Sequence, residues 1–506
     1  MRLGKSKLLG ACAALVLLAA GTSAANAEDR CVKFAIPERG GESSSIDPAV
    51  AFNQGDFFNV GALYEPIVWI DNNLEAQPLL AESWESNPEA TEWTFHLKKG
   101  VKFHDGSEMT AKDVVWTYQR ILDPTTGVAA KELSFVKPED VSAVDDYTVK
   151  FAIAAPLAEF PLLIGNKFAY ISKAGVTPEE LAKKSYGTGA FMIDNFNPSE
   201  PVVHFVAFKD YWEAGYPKSP CIDLTSIPEN VARAAAVSTG EVDVATNMDP
   251  STFAMLESNP DVKLIPAARG TLLALAMFVD TEPFTDVRVR QAMKLVVDRQ
   301  AILDTVLLGY GFIANDNPIA LNSADAYRSD PIPRDVEKAK QLLAEAGYPN
   351  GLTVDLYTGG IATGSIALAQ AYQQMAADAG ITVNVNVAPT ETYWDDVWLK
   401  RSFAATAWGA RPTGSALAIA YRSDAKYNET HWKNAEFDKL LDQANSTIDP
   451  AERHKLYQAA NKLIAEDGGA IAPVFATLIA AVRTNCDGFT PHSDWNRVDV
   501  KSLHCQ

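Results

Sequence analysis

The sequence predicts an α/β fold, and three observations predict it. Ile222–Pro228, Glu229–Thr239 and Val242–Ala245 read as strand, helix and strand, with Gly240 stopping the helix. From Leu272 to Val482, short apolar runs alternate with segments of helical period, most of them opened by Asp, Asn or Ser. The chain has 506 residues, enough for two or three domains with sizeable cores, and shows no internal repeat or low-complexity tract.

The elements follow in order. Cys31–Pro37 alternates as a strand and leads into a polar Gly/Ser loop, Glu38–Asp47. Asn53–Tyr64 reads as a helix and Pro66–Ile70 as a short strand. In Trp93–Leu122, Trp93, Phe95 and Leu97 alternate, Lys98-Lys99-Gly100 interrupts, and Val101 and Phe103 resume, which predicts a hairpin. Asp105-Gly106 is a turn pair. Thr110 and Asp113 form a capping box for a helix ending at Asp123-Pro124. Asp145–Ile153 and Val202–Phe208 are strands, and Tyr186–Phe191 is a glycine turn lacking the phosphate-loop pattern. Leu272–Val279 is a strand that opens a new lobe. Helices follow at Asp286–Val297, Asp298–Gly309, Asp335–Ala346, Ser365–Ala379, Tyr393–Leu399, Asn434–Ser446 and Pro450–Asp467. Leu352–Tyr357, Thr382–Val387 and Ala404–Trp408 are strands between them, and Ala472–Val482 is a strand crossing back to the first lobe.

Residues 1–27 read as a secretory signal: basic Arg2, Lys5 and Lys7, apolar Leu8–Ala20, and Ala25-Asn26-Ala27 before the cut. The formal charge is −20, and removing three basic residues with the signal takes the mature chain to −23. Such a chain repels nucleic-acid phosphates, so no nucleic-acid partner is expected. An exported, periplasmic protein and a monomer are expected. Cys31, Cys221, Cys486 and Cys505 remain, an even number in an oxidising compartment. Three pairings are possible; Cys31–Cys221 with Cys486–Cys505 is the expected one, and free buried thiols are the alternative.

Catalytic patterns are missing. There is no Gly-x-Ser-x-Gly elbow and no His-Glu-x-x-His helix, and the seven histidines are scattered without metal-ligand spacing. No enzyme activity, cofactor or metal is expected. The rival readings are a secreted hydrolase on the same scaffold and a metal or haem carrier.

The stretch LKKGVKFHDGSEMTAKDVV, within Trp93–Leu122, closely resembles the signature of the family-5 (cluster C) extracellular solute-binding proteins, which bind dipeptides and oligopeptides for ABC importers. IPENVARAAAVSTGEVD (Ile227–Asp243), PFTDVRVRQAMKLVVDRQAI (Pro283–Ile302), AKQLLAEAGYPNG (Ala339–Gly351), Tyr186–Phe191 and Phe437–Leu441 resemble the same family, in its order. The resemblance implies a two-lobed periplasmic binding protein fold (type II, cluster C) with a small extra domain inserted in the first lobe. It places lobe I at 28–52, 171–268 and 476–506, the insert at 53–170 and lobe II at 269–475. It implies a cargo held between lobes, a short peptide or a similarly sized polar conjugate such as an opine or sugar derivative, and an inner-membrane ABC permease as partner.

For the site, the resemblance directs attention to Tyr393, Trp394 and Ala404–Ser415. Peptide binders of the family hold the peptide amino terminus with an aspartate shortly after the position matching Trp408. Here Gly409, Ala410, Arg411 and Pro412 follow, and no acid occurs from Arg401 through Ser423. Trp408 and Trp394 are expected to wall the cargo, with core packing as the alternative. Arg411 is expected to meet an anionic or hydroxyl-rich group, with a salt bridge as the alternative. Arg269 at the lobe change and Glu42, Ser43 and Ser44 in the first loop complete the candidates.

Overall fold

The computed structural model describes residues 30–126, 129–133, 135–494 and 496–506; the expected signal peptide lies outside them. One eleven-stranded sheet runs through the molecule. Its order is Ile381–Val387, Leu352–Thr358, Phe403–Trp408, Val262–Met277, Ala470–Arg483, Val244–Ala245, Val32–Ile36, Cys221–Ser226, Val202–Ala207 and Phe191–Met192, with Gly311–Ile313 also on Ala470–Arg483. Both ends hold parallel pairs, Val32–Ile36 with Cys221–Ser226 and Leu352–Thr358 with Ile381–Val387. That is the α/β pattern that helical crossovers require.

Two long strands join the halves. Val262–Met277 and Ala470–Arg483 pair antiparallel from Val262↔Arg483 to Ala276↔Ala470. The apolar cores divide on either side of them. One group of buried residues is built around Val32, Phe34, Phe58, Phe95, Phe151 and Leu224, another around Leu273, Met293, Leu356, Tyr372 and Phe403. The sequence shows only the apolar second half of the first crossing strand. Val262–Arg269 was hidden because Lys263, Pro266 and Arg269 break its alternation.

The sequence-predicted hairpin at Trp93–Phe103 is corrected. Glu92–Leu97 pairs instead with Ala81–Ser86 and Thr148–Ala152, in a separate four-stranded sheet. The real turn is smaller: Phe103 N–H donates to Ser107 O at 2.8 Å and Met109 N–H to Val101 O at 2.8 Å. The capping box does form, with Asp113 accepting from the Thr110 backbone at 2.8 Å. Its other oxygen accepts from Ala174 N–H at 3.0 Å, tying the helix Ala111–Leu122 to a distant segment.

The turn carries His104 into the core. His104 N–H donates to Gly187 O at 3.0 Å, and its Nε2 meets Gly189 O at 2.9 Å. Gly189 must be glycine, since a Cβ there would lie 2.4 Å from Leu63 C. The two signature stretches thus form one joint. The cysteines pair as Cys31–Cys221 and Cys486–Cys505.

Burial lowers the His104 pKa from 6.5 to about 4. The folded state therefore favours the neutral ring, and the unfolded chain takes up the proton first as pH falls. Stability from this residue is intact above pH 6.5 and lost progressively toward pH 4, by up to about 3 kcal/mol. Urea unfolding at pH 7 and pH 4.5 is expected to show that slope in the native protein and a shallower one in His104→Gln.

Candidate functional site

A crevice of about 850 Å³ lies between the two halves. Its walls come from three places. The first half contributes Asn73–Ala76, Trp84–Ser86, Trp93 and residues around Glu159. The crossing strands contribute Arg269, Gly270, Leu272 and Phe475. The second half contributes Pro318–Ala320, Ser323–Asp325, Trp408–Thr413, Ala416, Ile419–Tyr421 and residues of the helix Pro450–Asp467.

Arg269 is delivered by an irregularity in the ladder. Between Pro266↔Ile479 and Gly270↔Thr477 the first strand carries three residues against one, Leu478. Such a bulge re-aims side chains. Ser493 Oγ accepts from Arg269 N–H at 3.0 Å, and Arg269 Nη1 donates to Asn322 Oδ1. Burial lowers the Arg269 pKa, opposed by Glu75, Asp325 and Asp71.

Trp408 ends the strand Phe403–Trp408 and is held by its indole N–H, which donates to Glu429 Oε1 at 2.9 Å. Glu429 is 1% exposed and also accepts from Trp398 Nε1 at 2.8 Å and Thr406 Oγ1 at 2.6 Å. Burial raises its pKa while these three donors pull it back. The Arg411 guanidinium lies over the Trp408 ring, 5.1 Å from its centroid, and Arg411 Nε donates to Gly409 O at 3.2 Å. On the facing wall, Trp93 stacks on Phe160, and its buried Nε1 has no hydrogen-bond partner among the described residues.

Of the sequence candidates, Trp408, Arg411 and Arg269 line the crevice and the others stand apart from its lining. Tyr393 is buried in the second half, its hydroxyl donating to Ala405 O at 2.6 Å. Trp394 is 43% exposed and packs edge-on against Trp398, whose ring then meets Trp408. It therefore supports the wall through Trp398. Glu42 is exposed, Ser43 Oγ donates to Gly40 O, and Ser44 Oγ donates to the buried Asp56. Asp56 also caps the helix Gln54–Leu63, so the first loop is folded around a structural carboxylate.

Sequence reading missed the first-half wall, which belongs to the segment containing the signature. The helix Thr413–Ala420 was also missed, because its Gly-Ser-Ala run lacks an amphipathic pattern. Glu159 was missed as well. It accepts from Tyr457 Oη at 2.7 Å and lies 3.6 Å from Arg453 Nε, while Ala158 N–H donates to Asn445 O at 2.7 Å. These bonds bridge the halves at the crevice rim. Burial raises the Glu159 pKa, opposed by Tyr457 and Arg453.

Residues 75–429 match the family model of bacterial extracellular solute-binding proteins, family 5. The protein belongs to that family. The glutathione-binding protein GsiB of Shigella boydii serotype 4 (strain Sb227) is 29% identical over 468 residues, 89% of this chain and 90% of the relative. The periplasmic binding protein DppA from Helicobacter pylori, in complex with peptide STSA, superposes with a TM-score of 0.73 at 25% identity, covering 94% of this chain and 98% of that one. AgaA from A. tumefacien R10, in complex with agropinic acid, gives 0.72 at 25%, covering 94% and 99%. The fold is the two-lobed periplasmic binding protein fold, and the protein is a substrate-binding subunit of the ABC-transporter class.

Tyr457 itself is outside the crevice lining, so Tyr457→Phe weakens the rim bridge without altering the cargo surface. Losing one hydrogen bond to a buried carboxylate costs roughly 1–3 kcal/mol. Small-angle scattering of the ligand-free variant is expected to give a larger radius of gyration than the native protein.

Proposed function

We propose that this protein captures carboxylate-bearing solutes of short-peptide size in the periplasm and hands them, chemically intact, to an inner-membrane ABC permease. The observation that carries this reading is the Arg411 guanidinium stacked on Trp408 inside an interlobe crevice of about 850 Å³. That volume suits a di- to tetrapeptide or an opine-like conjugate. Arg presents a planar fork that pairs bidentately with carboxylate. Arg269 supplies a second guanidinium from the hinge strands. Of the relatives named above, GsiB binds glutathione, DppA is in complex with peptide STSA and AgaA with agropinic acid, all polar and carboxylate-bearing.

The lobes in this reading are 28–52 with 171–268 and 476–506, and 269–475, with 53–170 inserted in the first. The division of the apolar cores about the crossing strands supports it. Export rests on the signal-like residues 1–27; no helix among the described residues is long and apolar enough to cross a membrane. Turnover of peptides or glycosides by the purified protein would overturn the reading of an intact cargo.

Mass spectrometry of co-purifying solutes, followed by titration calorimetry with glutathione, peptide STSA and agropinic acid, identifies the cargo. Arg411→Ala is expected to weaken the bound solute ten-fold or more, for about 1.5–3 kcal/mol per charge-assisted hydrogen bond. Unchanged affinity removes Arg411 from the site.

A further inference from the structure

The second-half wall carries an imidazole steered by a buried carboxylate. Asp325 is 8% exposed, and its two oxygens accept from Thr413 Oγ1 at 2.5 Å and from His454 Nδ1 at 2.6 Å. The loop bearing it is clamped by the same helix. His454, Gln458 and Asn461 share one face of Pro450–Asp467. Gln458 Nε2 donates to Ala324 O at 2.8 Å and Asn461 Nδ2 to Asp325 O at 3.1 Å. Asp325, Thr413 and His454 all line the crevice.

A carboxylate at Nδ1 fixes that nitrogen as the N–H. With Nδ1 as the N–H donor, the tautomer places the acceptor lone pair on Nε2, at the far end of the ring. Among the described residues nothing hydrogen-bonds Nε2. The other charged groups of the lining are of three kinds. Glu159 is bonded to Tyr457 and faces Arg453. Arg269, Arg411 and Arg453 are donors suited to carboxylate. Glu75 and Glu85 lie on the first-half wall and are exposed. The second-half wall thus pairs guanidinium donors with one oriented imidazole edge.

We propose that His454 Nε2, positioned by Asp325, accepts a hydrogen bond from the amino group of a zwitterionic solute whose carboxylate is met by the crevice arginines. The inference rests on the reading that a carboxylate-bearing cargo occupies this crevice, and it narrows the cargo class to amino acids in the broad chemical sense, free peptides included.

The test compares glutathione and peptide STSA with their N-acetylated forms by titration calorimetry, against the native protein, His454→Ala, His454→Gln and Asp325→Asn, with melting temperatures in parallel. The native protein is expected to bind the free-amine probe at least ten-fold more tightly than its acetylated form. His454→Ala is expected to lose that preference while keeping its affinity for the acetylated probe within two-fold. His454→Gln, whose amide oxygen can accept, is expected to recover part of the preference, and Asp325→Asn to lose part of it. Equal loss on both probes, or no loss on either, overturns the amine-binding role while leaving the carboxylate reading standing. A native protein that binds agropinic acid but none of the four probes overturns this inference alone; one that binds none of the five overturns the cargo reading, and this inference with it.

Discussion

The structure depends on the antiparallel ladder between Val262–Met277 and Ala470–Arg483. It is the segment of sheet common to both halves, and its register decides how they face each other. The strands approach so closely at Gly270 that a Cβ there would lie 2.2 Å from Ala476 O. A side chain at that position would push the strands apart where the crevice begins. Immediately before it the ladder is interrupted by the bulge at 267–269. Unpaired backbone is where a sheet bends at least cost, since no ladder hydrogen bond is given up. One irregularity therefore interrupts the ladder between the halves and also turns Arg269 into the crevice.

Around that space the protein places carboxylates that it then satisfies internally. Glu429 accepts three hydrogen bonds, Glu159 faces a tyrosine and an arginine, and Asp325 holds a threonine and a histidine. Each would be costly to bury alone, and each is offset by donors. The result is a wall whose buried carboxylates are held by protein donors. This matters because the whole chain carries −20 and repels an anionic solute at long range. On the second-half wall Asp325 is answered by Thr413 and His454, and Arg411 and Arg453 stand beside it, so attraction for an anion acts at short range, where screening by salt is weakest.

Much of the fold was legible. Helix starts at Asn53, Asp286, Asp298, Asn434 and Asp449 are written in capping residues, and each caps its helix through a side-chain oxygen. What failed was pairing. Trp93–Leu97 has the right period for a strand, but its partners are Ala81–Ser86 and Thr148–Ala152, which no local pattern announces. The site divided in the same way. Trp408, Arg411 and Arg269 could be found from resemblance and from the lobe change. Glu159, Asp325 and His454 could not, because their partners lie 298, 88 and 129 residues away. Glu42, Ser43 and Ser44 drew attention as a polar loop after a strand, but their polarity serves Asp56 and the local turn.

The residues that make the chain recognisable are spent on scaffold. His104 joins two turns, Asp113 caps a helix and ties down Ala174, and Gly189 yields room to Leu63. None of the three lines the crevice. In the proposed reading, cargo contact falls to a different chain of dependence: Glu429 fixes the Trp408 indole, and the Trp408 face supports the Arg411 guanidinium. In that chain only the last link needs to change for a new cargo. The buried carboxylate and the indole define a platform that is indifferent to what stacks upon it. The segment leaves Trp408 through Gly409, where a Cβ would meet no atom within 4 Å, so the turn into Arg411 is not fixed by packing at that residue. This separation explains how one scaffold, recognisable from end to end, leaves its cargo to be argued from a handful of side chains.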